Sequence, residues 1–173
     1  MSQLSRQFAQ RWFRTCSSLV PVLALLTGCQ SWSTHHGFTG AQIAALESVG
    51  FEPIADTDAM EFDVTDRLLF STGQASLGPD AKQALERIGH VLIRMHVDHI
   101  GVDGYTDAEG GVAYNQQLSM RRATAVAKVL LDMGIPEQNI KVRGFGKTRP
   151  VADNSTIDGR RQNRRVAVVV SSD

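Results

Sequence analysis

Polar and apolar positions change period several times along the chain, and each change marks an element. Glu61-Phe62-Asp63-Val64-Thr65 alternates as a strand with one face on a core, and Leu68-Leu69-Phe70 continues it. Gly78-Pro79-Asp80 then opens a helix with proline in its first turn. Ala81, Ala84, Leu85, Ile88, Val91 and Leu92 recur at helical spacing to about Met95. His99 to Tyr105 reads as a second strand, and a longer helix from about Tyr114 to Met133 is closed by Gly134. Ile140 to Phe145 and Arg165 to Val170 are the third and fourth strands, with a short helical turn over Asp158 to Asn163. Upstream, Thr39 is placed to cap a helix from Ala41 to Val49, with Ile43, Leu46 and Val49 on one stripe and Gly50 as its stop. Phe51 to Ala59, with Pro53 and three acids, reads as irregular. The order predicts an α+β sandwich: a mixed four-stranded sheet with helices packed on one face.

The first third of the chain has a different character. Residues 1–14 carry Arg6, Arg11 and Arg14 and no acid, and an apolar run from Leu19 to Leu26 leads into Thr27-Gly28-Cys29. A basic start, a short apolar stretch and small residues at a cut site describe an export signal, too short for a membrane span. Cysteine directly after Leu-Thr-Gly is similar to bacterial lipoprotein signals. That resemblance implies cleavage before Cys29 and acylation of its sulfur and amine. Gln30, rather than aspartate, follows the cysteine, which favours the outer membrane, periplasmic face. The expected organisation is a signal peptide over 1–28, a lipidated N-terminus with linker and short helix over 29–60, and one domain over 61–173.

Losing residues 1–28 removes three of 18 basic side chains and no acid, leaving 15 against 18, a net of −3. Such a balance gives no field for nucleic acid. The run from Gly159 to Arg165, GRRQNRR, has no interleaved aromatic residue for base stacking, so its arginines are expected to pair with acids or support a loop. Cys16 leaves with the signal and Cys29 takes lipid, so no disulfide is expected. The five histidines are scattered without metal-ligand spacing, and no nucleophile–base arrangement is visible. Neither a metal site, a cofactor nor an enzyme is expected.

The chemistry concentrates between Gly104 and Arg122, GYTDAEGGVAYNQQLSMRR. Asp107 stands at the exit of the second strand, before a turn with two glycines. On the following helix Asn115, Leu118, Ser119 and Arg122 share one face at i, i+3, i+4 and i+7. Ala123, Val126, Ala127, Leu130 and Leu131 are read as the opposite, core-facing stripe. A carboxylate and a bidentate guanidinium match a free amino-acid end, which carries an ammonium and a planar carboxylate on one carbon. On spacing alone, the same two charges serve equally as an ion pair that stabilises the loop.

The set Gly104, Thr106-Asp107, Gly110, Tyr114-Asn115, Leu118-Ser119 and Arg122-Ala123, continued by Gly144-Phe145-Gly146, Pro150, Asn154, Gly159-Arg160 and Asn163-Arg164-Arg165-Val166, resembles the OmpA-like peptidoglycan-binding domain. The likeness covers about Phe62 to Val170. It implies a peptidoglycan ligand, the diaminopimelate of the stem peptide, with Asp107 and Arg122 as principal contacts. Asn115, Leu118, Gly110 and Arg164 follow as further contacts. Tyr105 stands where the family usually has histidine, and Ser71-Thr72 follow Phe70 where many members have aspartate, which makes Ser71 and Thr72 site candidates of altered chemistry. Phe38 to Leu46 with Gly50-Phe51-Glu52 and Glu61-Phe62 look like the YfiB-type lipoproteins, although Met60 stands where an aromatic residue is expected. That narrower resemblance implies capture of a periplasmic repressor, YfiR, and relief of an inner-membrane diguanylate cyclase, with Ile43, Leu46, Val49 and Phe51 as partner-binding residues. The same stripe serves equally as a cap on the domain core. A purely structural tether between membrane and wall is the competing reading, and a homodimer is compatible with either.

Overall fold

In the computed structural model, which describes residues 37–65 and 77–172, the alternating segments pair into one sheet and the helical segments cover one of its faces. In chain order the described elements are α1 (Gly40–Glu47), β1 (Glu52–Pro53), β2 (Ala59–Thr65), α2 (Pro79–Met95), β3 (His99–Gly104), α3 (Val112–Asp132), a 3-10 turn (Glu137–Asn139), β4 (Ile140–Gly144), α4 (Ile157–Asn163) and β5 (Arg165–Ser171). The sheet order is β1-β2-β5-β3-β4. The last strand is therefore inserted centrally, antiparallel to β2 through Thr65↔Arg165 and to β3 through Gly104↔Val166. Strands β3 and β4 are parallel, as a helical crossover between them requires.

The α+β sandwich stands, with one strand more than expected. Glu52–Pro53 forms a two-residue edge strand on β2 where the sequence pattern predicts an irregular segment. Proline conceals such a strand in sequence, yet an edge tolerates it because the missing N–H is not needed there. The continuation of the first strand through Leu68–Phe70 lies outside the described residues.

Helix ends follow the expected local chemistry. Thr39 accepts from the Gln42 amide at 3.3 Å while the Gln42 carboxamide accepts from the Thr39 amide at 2.9 Å, a complete capping box. Helix α2 opens at Pro79 after Gly78. Gly134 ends α3's turn with a φ of +97°, which glycine takes without strain.

The core lies between sheet and helices. Met60 and Val64, Ile100 and Val102, and Val166, Val168 and Val170 meet Leu85, Ile88, Leu92, Val126 and Leu130 there. Each fully buried side chain of this size contributes about 1.5–3 kcal/mol. Leu46 and Phe51 are fully buried in the same cluster, with Ile43 and Val49 packed against it. The α1 stripe thus caps the domain in this structure. On α3 one expectation needs correction. Asn115, Leu118, Ser119 and Arg122 are buried together with Ala123, Val126, Ala127 and Leu130, whereas Leu131 is exposed. At 100° per residue the first group lies on the same side as the second, so the two stripes are one continuous face rather than opposite ones.

Candidate functional site

Three glycines let α3 lie directly on the strand ends that carry the site. A Cβ on Gly104 would stand 2.0 Å from the Ser119 carbonyl oxygen, and one on Gly144 would stand 2.8 Å from the Met120 nitrogen. Gly146 makes a similar approach to Gln116. Polar bonds fix the contact: Gln116 Nε2 donates to the Gly144 carbonyl at 2.6 Å, and the Gly146 amide donates to Ser119 Oγ at 2.9 Å. The helix therefore runs back along β3 with its first turns over the loop that follows it.

That loop leaves the sheet through Tyr105 and Thr106, whose amides donate to the carbonyls of Arg165 and Gly146, both at 2.9 Å. Asp107 follows, only 7% exposed. One of its carboxylate oxygens accepts from the Glu109 amide at 3.1 Å and the other from Arg164 Nη1 at 2.8 Å. Gly110 has a φ of +85°, the left-handed conformation that returns the chain toward α3, and Asn115 Nδ2 ties the turn down by donating to the Glu109 carbonyl at 2.7 Å. Arg122 is 2% exposed and projects from the same helix face. Long helical side chains lean back over the preceding turn, here the turn of Leu118 and Ser119.

A second loop, 145–156, braces the first. The Ala108 amide donates to Asn154 Oδ1 at 3.0 Å, and Lys147 Nζ reaches the Gly110 carbonyl at 3.0 Å. Buried Asn163 accepts from the amides of Val151 and Ala152 and donates to the Ala152 carbonyl and Asn154 Oδ1. Arg160 Nε pairs with Glu109 at 3.1 Å, though Glu109 is largely exposed, so that bond contributes little stability.

Asp107, Arg164, Gly110, Asn115 and the α3 face bearing Leu118 and Arg122 thus converge on one end of the sheet. Sequence spacing pairs Asp107 with Arg122, while the structure gives Asp107 an ion pair with Arg164. The arginine run behaves as expected of a loop support: Arg160 to Glu109, Arg161 to Asp158, Arg164 to Asp107 and Arg165 to Glu61 and Asp63. Sequence reasoning misses Lys147 and the depth of Asn163. Only the Gly144-Phe145-Gly146 signature hints that the second loop closes over the first. Ser71, Thr72 and Cys29 lie outside the described residues. No group of three potential metal ligands occurs among the described residues, and none of their helices is long and apolar enough to cross a membrane.

Charged groups also crowd the sheet face away from the helices. Arg143 chelates Asp103 through Nε and Nη2, both at 2.6 Å, and that bonding raises the guanidinium's affinity for its proton. Burial first, and then the neighbouring Asp63, raises the Glu61 pKa. Burial likewise raises that of Asp63, against the opposing pull of Arg165.

Comparison with known proteins agrees with this arrangement. Residues 69–164 match the OmpA family. The outer-membrane lipoprotein YfiB of Pseudomonas aeruginosa is 41% identical over 86% of this chain and 87% of its own length. The putative lipoprotein YfiB of Escherichia coli is 37% identical over 89% and 94%. Among solved structures, the cell wall anchor of the T6SS from Pseudomonas aeruginosa superposes with a TM-score of 0.65 at 26% identity, covering 79% of this chain and 99% of that one. The glycine-seated helix, the buried aspartate after β3 and the extent of these matches together place the chain in the OmpA family, among relatives named as YfiB-type outer-membrane lipoproteins.

Proposed function

We propose that this chain is an outer-membrane lipoprotein, anchored through Cys29 on the periplasmic face, that binds peptidoglycan non-covalently through the diaminopimelate end of the stem peptide. The observation that carries the reading is the convergence of Asp107 with the buried α3 face that bears Arg122. A carboxylate preset by two donors receives the ligand ammonium, and a guanidinium fork below the surface receives its carboxylate. The depth of Arg122 selects a slender end group, because a glycan strand is too wide to descend to it. Asn115, Leu118, Gly110 and Arg164 are assigned to the surround of the site, and Ser71 and Thr72 stay candidates from the family resemblance alone. The role is binding rather than catalysis.

Similarity to YfiB over most of the chain supports a signalling role: sequestration of a small periplasmic YfiR-like repressor and activation of a diguanylate cyclase, with Ile43, Leu46, Val49 and Phe51 offered to the partner in an extended form in which α1 leaves the domain core. A structural tether is the second reading, favoured by the burial of Leu46 and Phe51 in the domain core. Co-sedimentation with purified sacculi tests the wall reading: the intact chain should pellet, and Asp107→Ala should stay in solution. Retention of both, or of neither, counts against it. Affinity capture from periplasmic extract separates the two roles, since signalling requires a small repressor to be held by the chain. Leu46→Pro, which favours the extended form, should alter that capture, and unchanged partner binding and wall retention count against a switch.

A further inference from the structure

On the sheet face away from the helices, two guanidinium groups enclose an aromatic pair. The rings of Tyr105 and Phe145 stack at 5.3 Å between centroids and 13° between planes. Arg165 Cζ lies 3.9 Å from the centre of Tyr105, and Arg149 Cζ lies 4.0 Å from the centre of Phe145. Tyr105 is nearly buried, on a face whose other side chains include Asp103, Arg143, Glu61 and Asp63. Arg165 Nη1 reaches Asp63 at 3.2 Å and Glu61 at 3.5 Å, whereas its buried Nε has no hydrogen-bond partner among the described residues. The face of Tyr105 compensates that deficit, because a desolvated guanidinium over an aromatic ring is held more strongly than an exposed one.

The members of this stack sit where the ligand site is suspended. Tyr105 lies two residues before Asp107, and Arg165 one residue after Arg164, which is the partner of Asp107. The Tyr105 amide donates to the Arg165 carbonyl, so the two strands are joined there by backbone and side chain together. Phe145 brings in the exit of β4, where the Phe145 amide donates to the Gly104 carbonyl and Thr106 donates to Gly146. Arg164 caps the end of α4 immediately before β5 begins at Arg165, so locking Arg165 fixes the backbone from which the Arg164 side chain leaves toward Asp107.

We propose that Tyr105 is a positioning residue: through its stack with Arg165 and Phe145 it sets the Asp107–Arg164 pair and hence the affinity of the site for its ligand. This rests on the reading above that Asp107 takes part in binding. The Tyr105 hydroxyl is not required, but the aromatic face is.

Tyr105→Leu and Tyr105→Phe in the detergent-solubilised full chain test it. Titration with a diaminopimelate-containing stem tripeptide should show about a tenfold loss for Leu and less than twofold for Phe, from removal and retention of the cation–π contact. An independent readout is the Nε–H resonance of Arg164 in nitrogen-15 spectra, which needs no ligand. It should be shifted and broadened in Tyr105→Leu and preserved in Tyr105→Phe. An Arg164 resonance unchanged by leucine overturns the proposal whether or not the peptide binds. So does leucine binding the peptide as tightly as the parent. Absence of peptide binding by the parent, with Arg164 still responding to Tyr105→Leu, leaves the positioning role standing and refutes only the identity of the ligand.

Discussion

Substituting Gly104 by alanine puts the seating of α3 to a direct test. The added methyl would meet the Ser119 carbonyl oxygen at 2.0 Å and its carbonyl carbon at 2.7 Å. Both are helix backbone atoms, so no side chain can turn aside. Ordinary contact begins near 3.4 Å, so the helix must retreat by about 1.4 Å or the strand must buckle. Overpacking typically costs about 1–3 kcal/mol, and a clash against helix backbone belongs at the upper end. For a domain of this size each kcal/mol lowers Tm by roughly 3–5 °C, so a drop of about 10 °C or more is expected. Urea unfolding followed by far-ultraviolet circular dichroism supplies the free energy directly. Gly40→Ala is the matched control: a methyl added at this α1 position meets nothing within 4 Å, and alanine suits a helix better than glycine. The Gly104 variant should also bind ligand more weakly, because α3 carries Asn115 and Arg122. A Gly104→Ala chain within about 0.5 kcal/mol of the parent would refute the close approach of helix to strand.

Three further outcomes are expected. Asn163→Ala removes a side chain that satisfies two backbone amides and one carbonyl of the second loop. It should cost about 2 kcal/mol by urea titration, the moderate figure reflecting an exposed Val151 whose amide can turn to water. Leu46→Ala should cost about 2–5 kcal/mol by thermal unfolding, because Leu46 is fully buried; a loss below about 1 kcal/mol would mean that α1 does not stay docked. The third concerns pH. Glu61 and Asp63 both have raised pKa values in the folded chain, so the folded state holds their protons more tightly than the unfolded one. Their contribution is fully present below the ordinary carboxylate range and is lost as pH rises through it toward the folded values. Glu61→Gln should therefore raise Tm at neutral pH and flatten its decline with pH, converging with the parent at about pH 3, below the ordinary carboxylate range; equal slopes for the two chains would contradict this.

Much of the fold is legible in the chain because its strands alternate and its helices keep one apolar stripe. Thr39, Gly78-Pro79 and Gly134 mark helix ends through local chemistry that needs no tertiary context. The two-residue strand β1 is not legible, since Glu52-Pro53 gains its pairing only from the neighbouring β2. Asp107 is legible from its place after an apolar strand. Its bond to Arg164 is not, because β5 enters the middle of the sheet from the far end of the sequence. The two arginines in sequence give no hint that one supports a ligand loop and the other a stack on the sheet face away from the helices. The single buried face of α3 escapes hydrophobic patterning because polar Asn115, Ser119 and Arg122 occupy helix positions that such patterning assigns to solvent.

Calorimetric titration of the chain from residue 30 onward with a diaminopimelate-containing stem peptide tests the wall-binding claim most directly. Saturable one-to-one binding is predicted, weakened at least about tenfold by Asp107→Ala and by Arg122→Lys, which keeps the charge and removes the fork. No heat with the parent chain, or equal affinity in both variants, would contradict it.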